Sequence, residues 1–249
     1  MSGHLYKKAK LAMDLTRLRQ KTKSIAQILR LPSICALCNQ YHQGLETICK
    51  TCTELFIPLG FTCRICAIPL PDDKFLVCGQ CIRKKPLFDR VFASYRFEEP
   101  LRTLLHEFKY REGLYLNSFI ANLMLRTPPD LNNTQCLVPV PMHPGRLRDR
   151  GYNQANELAK YLAVRLKMPY EPLLCKKIRN TAPQAGLNGK QRQQNLRGSF
   201  TTNTSPYHHI TLVDDLLTTG STANELAGTL KKQGIVQVDV WCCARAISE

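Results

Sequence analysis

Two hydrophobic rhythms alternate along the second half of the chain. Short, nearly unbroken apolar runs predict buried strands at Val91–Arg96, Cys136–Val138, Glu171–Lys176, Ile210–Val213 and Val236–Ala244. Between them, apolar residues spaced by three and four predict helices over Leu101–Lys109, Leu114–Leu125, Gln154–Leu166 and Ala223–Gln233. In the third of these helices Ala155, Leu158, Ala159, Leu162 and Leu166 share one face, and Gly234 closes the fourth. Strands alternating with helices predict an α/β domain with a mostly parallel sheet, spanning residues 86–249. Pro86-Leu87-Phe88-Asp89 marks its junction with what precedes.

Upstream the rhythm disappears and cysteine takes its place. Eight cysteines fall as four C-x-x-C pairs: Cys35 and Cys38, Cys49 and Cys52, Cys63 and Cys66, Cys78 and Cys81. Each pair sets two thiolates on one side of a tight knuckle, half of a tetrahedral four-sulfur zinc site. Four pairs make two closed structural sites, so residues 35–85 read as a double zinc ribbon. Disulfides fit poorly without a secretion signal, and a redox dithiol does not come four times in succession outside a βαβ context. Sequential pairing closes each loop locally at low entropy, whereas crossed pairing would interleave the sites. With little apolar periodicity between Ser33 and Arg83, metal must supply much of the folding energy. Cys136, Cys175, Cys242 and Cys243 sit in apolar runs and read as core residues.

Residues 1–34 form a third region, with Lys7, Lys8, Lys10, Arg17, Arg19, Lys21, Lys23 and Arg30 interleaved with leucine and isoleucine. This reads as one or two basic amphipathic helices. Such a segment suits nucleic acid, a membrane surface, packing on the ribbons or a mobile extension alike. The formal charge of the whole chain is +16, enough to attract polyanions, with nucleic acid foremost. A hydrophobic fraction of 44% supports a sizeable core and argues against disorder throughout. No run approaches a membrane span, and no apolar stretch with a cleavage site opens the chain, so a cytoplasmic protein is expected.

The densest chemistry lies in Ile210–Thr222, ITLVDDLLTTGST. A strand ends in two carboxylates, Asp214 and Asp215, and a turn of Thr218, Thr219, Gly220, Ser221 and Thr222 opens a helix. That is where open α/β sheets bind ligands. Backbone N–H groups, hydroxyls and the helix dipole suit a phosphate, and the carboxylates suit neutral hydroxyls such as those of a ribose. A 5-phosphoribosyl group is the simplest ligand carrying both. An ordinary N-cap explains one hydroxyl of the five-residue turn, not the acids beside it. The segment resembles the phosphoribosyl-pyrophosphate (PRPP) signature of type I phosphoribosyltransferases.

Three more segments carry the resemblance further. Val138-Pro139-Val140-Pro141 ends a strand and leads to His143, a residue placed to cap the loop. Arg146 to Gln154, RLRDRGYNQ, sends three arginines into a helix. Arg179–Phe200, rich in Gly, Asn, Gln and Arg, reads as a long mobile loop over a site and carries Gln184, Leu187, Arg192 and Asn195. Together with the four C-x-x-C pairs, these identify the chain as resembling the ComF/GntX family of competence-type, phosphoribosyltransferase-like proteins, from about Cys35 to Arg245.

The resemblance implies a type I phosphoribosyltransferase fold, Rossmann-like, behind a zinc-ribbon module. It implies that Asp214 and Asp215 contact ribose hydroxyls and that Thr218, Thr219, Gly220, Ser221 and Thr222 hold the 5-phosphate. The loop of Val138, Pro139 and Val140 would face pyrophosphate, with Arg148, Arg150 and Arg192 neutralising the leaving group. Mg²⁺ would bridge pyrophosphate and ribose oxygens. The implied role is in natural transformation, in the uptake or handling of single-stranded DNA, beside a helicase-type competence or replication-restart protein. The alternative is an active transferase moving phosphoribose from PRPP to an acceptor that no residue names. Aromatic residues beside basic ones (Tyr95, Phe97, Phe108, Tyr110, Tyr152) could stack on bases, but fit half-buried fold elements better.

Overall fold

The computed structural model describes residues 32–44, 46–180 and 195–247. The basic segment 1–31 and the loop centre with Gln184, Leu187 and Arg192 lie outside the described residues. The chain divides into two units between Leu55 and Phe56.

The first unit holds one cysteine cluster. β1 (Ser33–Ile34) and β2 (Tyr41–His42) pair antiparallel around the first knuckle. Asn39, in the left-handed region at φ 56°, turns the chain so that the Asn39 amide reaches the Cys35 carbonyl. The second knuckle opens a one-turn helix, α1 (Lys50–Thr53), whose N-cap is Cys49 itself.

The second unit repeats that plan before the sheet begins. Ala67, at φ 55°, turns the knuckle of Cys63 and Cys66, and Cys78 caps α2 (Gly79–Arg83). The sheet follows as four parallel strands in the order β3 (Arg90–Arg96), β8 (Gln237–Arg245), β7 (His209–Leu217), β4 (Cys136–Pro139). A parallel sheet needs cover on both faces, which is why its strands are continuously apolar. One face packs α7 (Ser221–Lys232) and the second cysteine cluster into a shared core with Ile210, Leu212, Val238 and Val240. On the other side α4 (Asn117–Arg126) and α6 (Gln154–Leu166) pack on each other and on the strands. Cys136, Cys175, Cys242 and Cys243 are buried in these cores, as their apolar neighbours imply.

Elements differ from expectation in informative ways. The helix expected at Leu114–Leu125 begins as a tighter 3-10 segment, Arg111–Leu116, and becomes α-helical at Asn117. The strand expected at Glu171–Lys176 is split. The Glu171 amide bonds the Leu137 carbonyl at the sheet edge, Pro172 breaks the ladder, and β5 (Cys175–Lys177) pairs instead with β6 (Phe200–Thr202). The motif strand runs past the expected Val213 to Leu217, because β8 keeps pairing with it. No helix among the described residues is long and apolar enough to cross a membrane.

Candidate functional site

At the carboxyl ends of the strands a cleft of about 420 Å³ opens. That lies within the usual size range of small-molecule sites. Its floor is the end of β7 and the start of α7: Asp214, Asp215, Leu217, Thr218, Gly220, Ser221 and Thr222 all line it. Gly220 precedes α7 at φ 74°, a conformation glycine adopts without strain, and so turns the chain from strand into helix. Thr219 Oγ1 and Ser221 Oγ lie 2.8 Å apart, so the hydroxyls of the turn converge.

The acids are not equivalent. Burial and the neighbouring Asp215 push the Asp214 carboxyl well above the usual carboxylate range. Asp214 Oδ1 accepts the Asp215 amide at 2.9 Å. Asp215 is 8% exposed; its Oδ2 makes no hydrogen bond, and the nearest cation is Lys109 Nζ at 3.8 Å. A carboxylate oxygen buried without a hydrogen bond is costly unless something polar meets it, and Lys109 is the charge beside it.

Cations line the cleft too. Val140, Pro141, His143, Arg146 and Arg150 come from the β4 loop and from α5 (Pro144–Arg150), and Lys177 from β5. His143 Nδ1 accepts the Gly145 amide at 3.1 Å and is the N-cap of α5, the capping role expected of it. Burial and nearby Arg146 bring the Lys177 ammonium down to about 8, over the Phe200 ring.

In the Tyr-Asn-Gln stretch Asn153 and Gln154 line the cleft, and the stretch also fixes two of its walls. The Tyr152 hydroxyl donates to the Phe108 carbonyl, and Gln154 Nε2 donates to the same oxygen at 3.1 Å. These bonds hold the segment that carries Lys109. Asn153 Nδ2 donates to the Val140 carbonyl at 3.0 Å, fixing the proline-rich loop. Arg150 Nη1 is tied to Gln154 Oε1 at 3.0 Å.

Of the residues singled out from sequence, the structure brings Asp214, Asp215, Thr218, Gly220, Ser221, Thr222, Val140 and Arg150 to one cleft. Val138 and Pro139 are buried in β4 behind it, and Thr219 is exposed at its rim. Arg148 is exposed on α5 and does not line the cleft; Arg146, two residues earlier, does. Lys109 and His106 also line it and are not expected there from the sequence, and Phe97, expected only as a base-stacking or fold aromatic, lines it as well. The rings of Phe97 and His106 stack with centroids 6.0 Å apart. Tyr95 and Phe108 are core residues, whereas Tyr110 is 68% exposed.

The cysteines gather as sequential pairing requires. Cys35, Cys38, Cys49 and Cys52 form one group, and Cys63, Cys66, Cys78 and Cys81 the other, with all four Sγ atoms within 4.8 Å. Tetrahedral zinc at a Zn–S distance of about 2.3 Å places sulfurs about 3.8 Å apart. Cys38 to Cys49 is 3.9 Å and Cys66 to Cys78 is 3.6 Å. Backbone amides point at the sulfurs, Cys49 N to Cys35 Sγ and Cys78 N to Cys63 Sγ, each at 3.3 Å. Burial raises the Cys35 thiol, yet the amides aimed at it prevail and bring it down to about 6; Cys63 comes down to about 7 in the same way. Burial and neighbouring thiols push Cys52, Cys66 and Cys81 the other way, so the fit to zinc rests on the sulfur spacing and the amides aimed at the sulfurs.

Comparison with known proteins adds to the geometry. The chain is 35% identical over 179 residues to competence protein F of Haemophilus influenzae, covering 68% of this chain and 78% of that protein. It is 29% identical over 231 residues to DNA utilization protein YhgH of Salmonella typhimurium, covering 88% of this chain and all of that one. No family model matches. Among solved structures, orotate phosphoribosyltransferase from Aeropyrum pernix aligns at 18% identity over 60% of this chain and 66% of that one, with a TM-score of 0.31.

Proposed function

Because the chain belongs to the ComF family of competence proteins, we propose that it binds PRPP or a nucleotide with Mg²⁺ and serves natural transformation by handling single-stranded DNA. The carrying observation is one cleft that gathers Asp214, Asp215, the turn residues Thr218, Gly220, Ser221 and Thr222, and the cations Lys109, Arg146, Arg150 and Lys177. A 5-phosphate takes the turn, at the positive dipole end of α7. Ribose hydroxyls donate to the carboxylates of Asp214 and Asp215, which both line the cleft. Lys109, Arg146, Arg150 and Lys177 meet a pyrophosphate or a second phosphate.

A hard divalent cation fits this donor set, since Asp214 and Asp215 are oxygen ligands beside a phosphate seat. Mg²⁺ would neutralise pyrophosphate charge when bound. DNA contact draws on the +16 charge and stays separate from the cleft, the backbone phosphates supplying the affinity.

Calorimetric titration with PRPP and Mg²⁺ tests the cleft. The wild type binds, and a variant carrying Asp214→Asn and Asp215→Asn does not. Full affinity in that variant would remove the assignment.

A further inference from the structure

One side chain joins the phosphate-type turn to the second cysteine cluster. Arg245 ends β8 and is 6% exposed, a guanidinium sunk into the protein. Its Nε donates to the Cys66 carbonyl at 2.9 Å. Its Nη1 donates to the carbonyls of Leu217 at 3.1 Å, Ala246 at 2.6 Å, and Thr218. Cys66 is a ligand-bearing knuckle of the second cluster, and Leu217–Thr218 is where β7 leaves the sheet for the turn. A buried cation is tolerated only while its acceptors stay in place. Here those acceptors are main-chain oxygens, so moving either the knuckle or the turn strands the same charge.

A second contact runs alongside. Phe88 shares one core with Cys63, Cys66, Cys78, Cys81, Leu217 and Ala223. Its ring lies so close to Gly220 that a Cβ there would sit 3.4 Å from it. The turn is thus held from below by Arg245 and from the side by Phe88, and both lean on the four-cysteine knuckles.

We propose that Arg245 is a positioning residue coupling the second metal site to the anion turn, so that metal at Cys63, Cys66, Cys78 and Cys81 keeps the turn in its binding form. No cysteine touches the ligand. By linkage the effect is reciprocal: an anion in the turn retains the metal. This rests on the reading of the turn as an anion site. The first cluster, in the other unit, is the internal control.

The experiment uses the full zinc-loaded chain and ribose 5-phosphate, which is a weaker chelator than pyrophosphate. Zinc release to a chromogenic chelator is followed with and without saturating ribose 5-phosphate. Alkylation and mass spectrometry identify which four thiols open in each phase. The expected result is release from the second cluster slowed about fivefold or more, with the first cluster unchanged. In Arg245→Lys, which keeps the charge but loses the fork of donors, the protection disappears. Should that variant fail to fold, the wild-type comparison decides alone. Equal slowing of both clusters, or of neither, overturns the coupling while leaving the site intact. Absence of ribose 5-phosphate binding by calorimetry rejects the anion site, and the coupling with it.

Discussion

At the scale of single residues, the ligand role proposed for Asp214 stands against a cost in stability. Its carboxyl keeps a proton in the folded chain at pH values where the unfolded chain has lost it, because of burial and Asp215. The unfolded state then binds fewer protons, so stability falls as pH rises from the carboxylate range toward the raised value. Each tenfold of extra proton affinity on folding costs about 1.4 kcal/mol above that value. Asp214→Asn removes the titration. Without ligand, this variant melts higher than wild type at neutral pH, by about 2–4 °C per kcal/mol relieved. The difference closes below about pH 3, where both states hold the proton. Thermal melts across pH check this, and a parallel pH dependence in the two proteins contradicts it. Lys177 titrates in the opposite sense. With its ammonium at about 8, it carries charge at pH 7 and loses it by pH 9. Affinity for a phosphorylated ligand should fall about tenfold over that window, the worth of one charge-assisted hydrogen bond. Lys177→Arg stays charged throughout and should flatten the fall. Calorimetry at three pH values distinguishes the two proteins.

At the scale of elements, the turn between β7 and α7 depends on Gly220. A side chain there meets both a left-handed backbone and the Phe88 ring. Gly220→Ala should cost about 1–2 kcal/mol of stability and weaken ribose 5-phosphate binding severalfold. Unchanged affinity would mean that the turn does not seat the phosphate. This element was legible in the sequence, because strand, acids, hydroxyls and glycine are contiguous and each has a local reason. The cysteine clusters were legible for the same reason, spacing alone setting the knuckles. What escaped the sequence is what only packing creates. Lys109 ends an amphipathic helical pattern, and its approach to Asp215 depends on Tyr152 and Gln154 fixing the chain from 42 to 46 residues away. Arg146 and Arg148 look alike in the sequence, but two residues on a helix point to different sides. Arg245 reads as the polar end of a strand; its four carbonyl acceptors come from three parts of the chain. Phe97 and His106 meet only because β3 and α3 (Leu101–Glu107) fold back on each other.

At the scale of the whole molecule, charge and cleft make separable contributions. On the proposed reading the cleft takes one small anion with a few matched groups, whereas +16 would act on a polymer through many phosphates. Single-strand binding should therefore weaken linearly in log affinity against log salt, with a slope of about −0.7 for each phosphate neutralised. The variant with Asp214→Asn and Asp215→Asn should keep that slope, since no DNA phosphate needs the acids. Residues 1–34 hold eight of the cations, Lys7, Lys8, Lys10, Arg17, Arg19, Lys21, Lys23 and Arg30. If this segment lies on the strand, a chain beginning at residue 32 should show a shallower slope, by about 0.7 for every contact it made. Fluorescence anisotropy with a labelled oligonucleotide over a salt series measures both. An unchanged slope in the shortened chain assigns DNA binding to the ribbons and the sheet domain. Loss of binding in the acid variant joins cleft and DNA into one site, and the separation fails. No binding at low salt in any form takes direct DNA contact out of the proposal, leaving the ligand cleft to stand by itself.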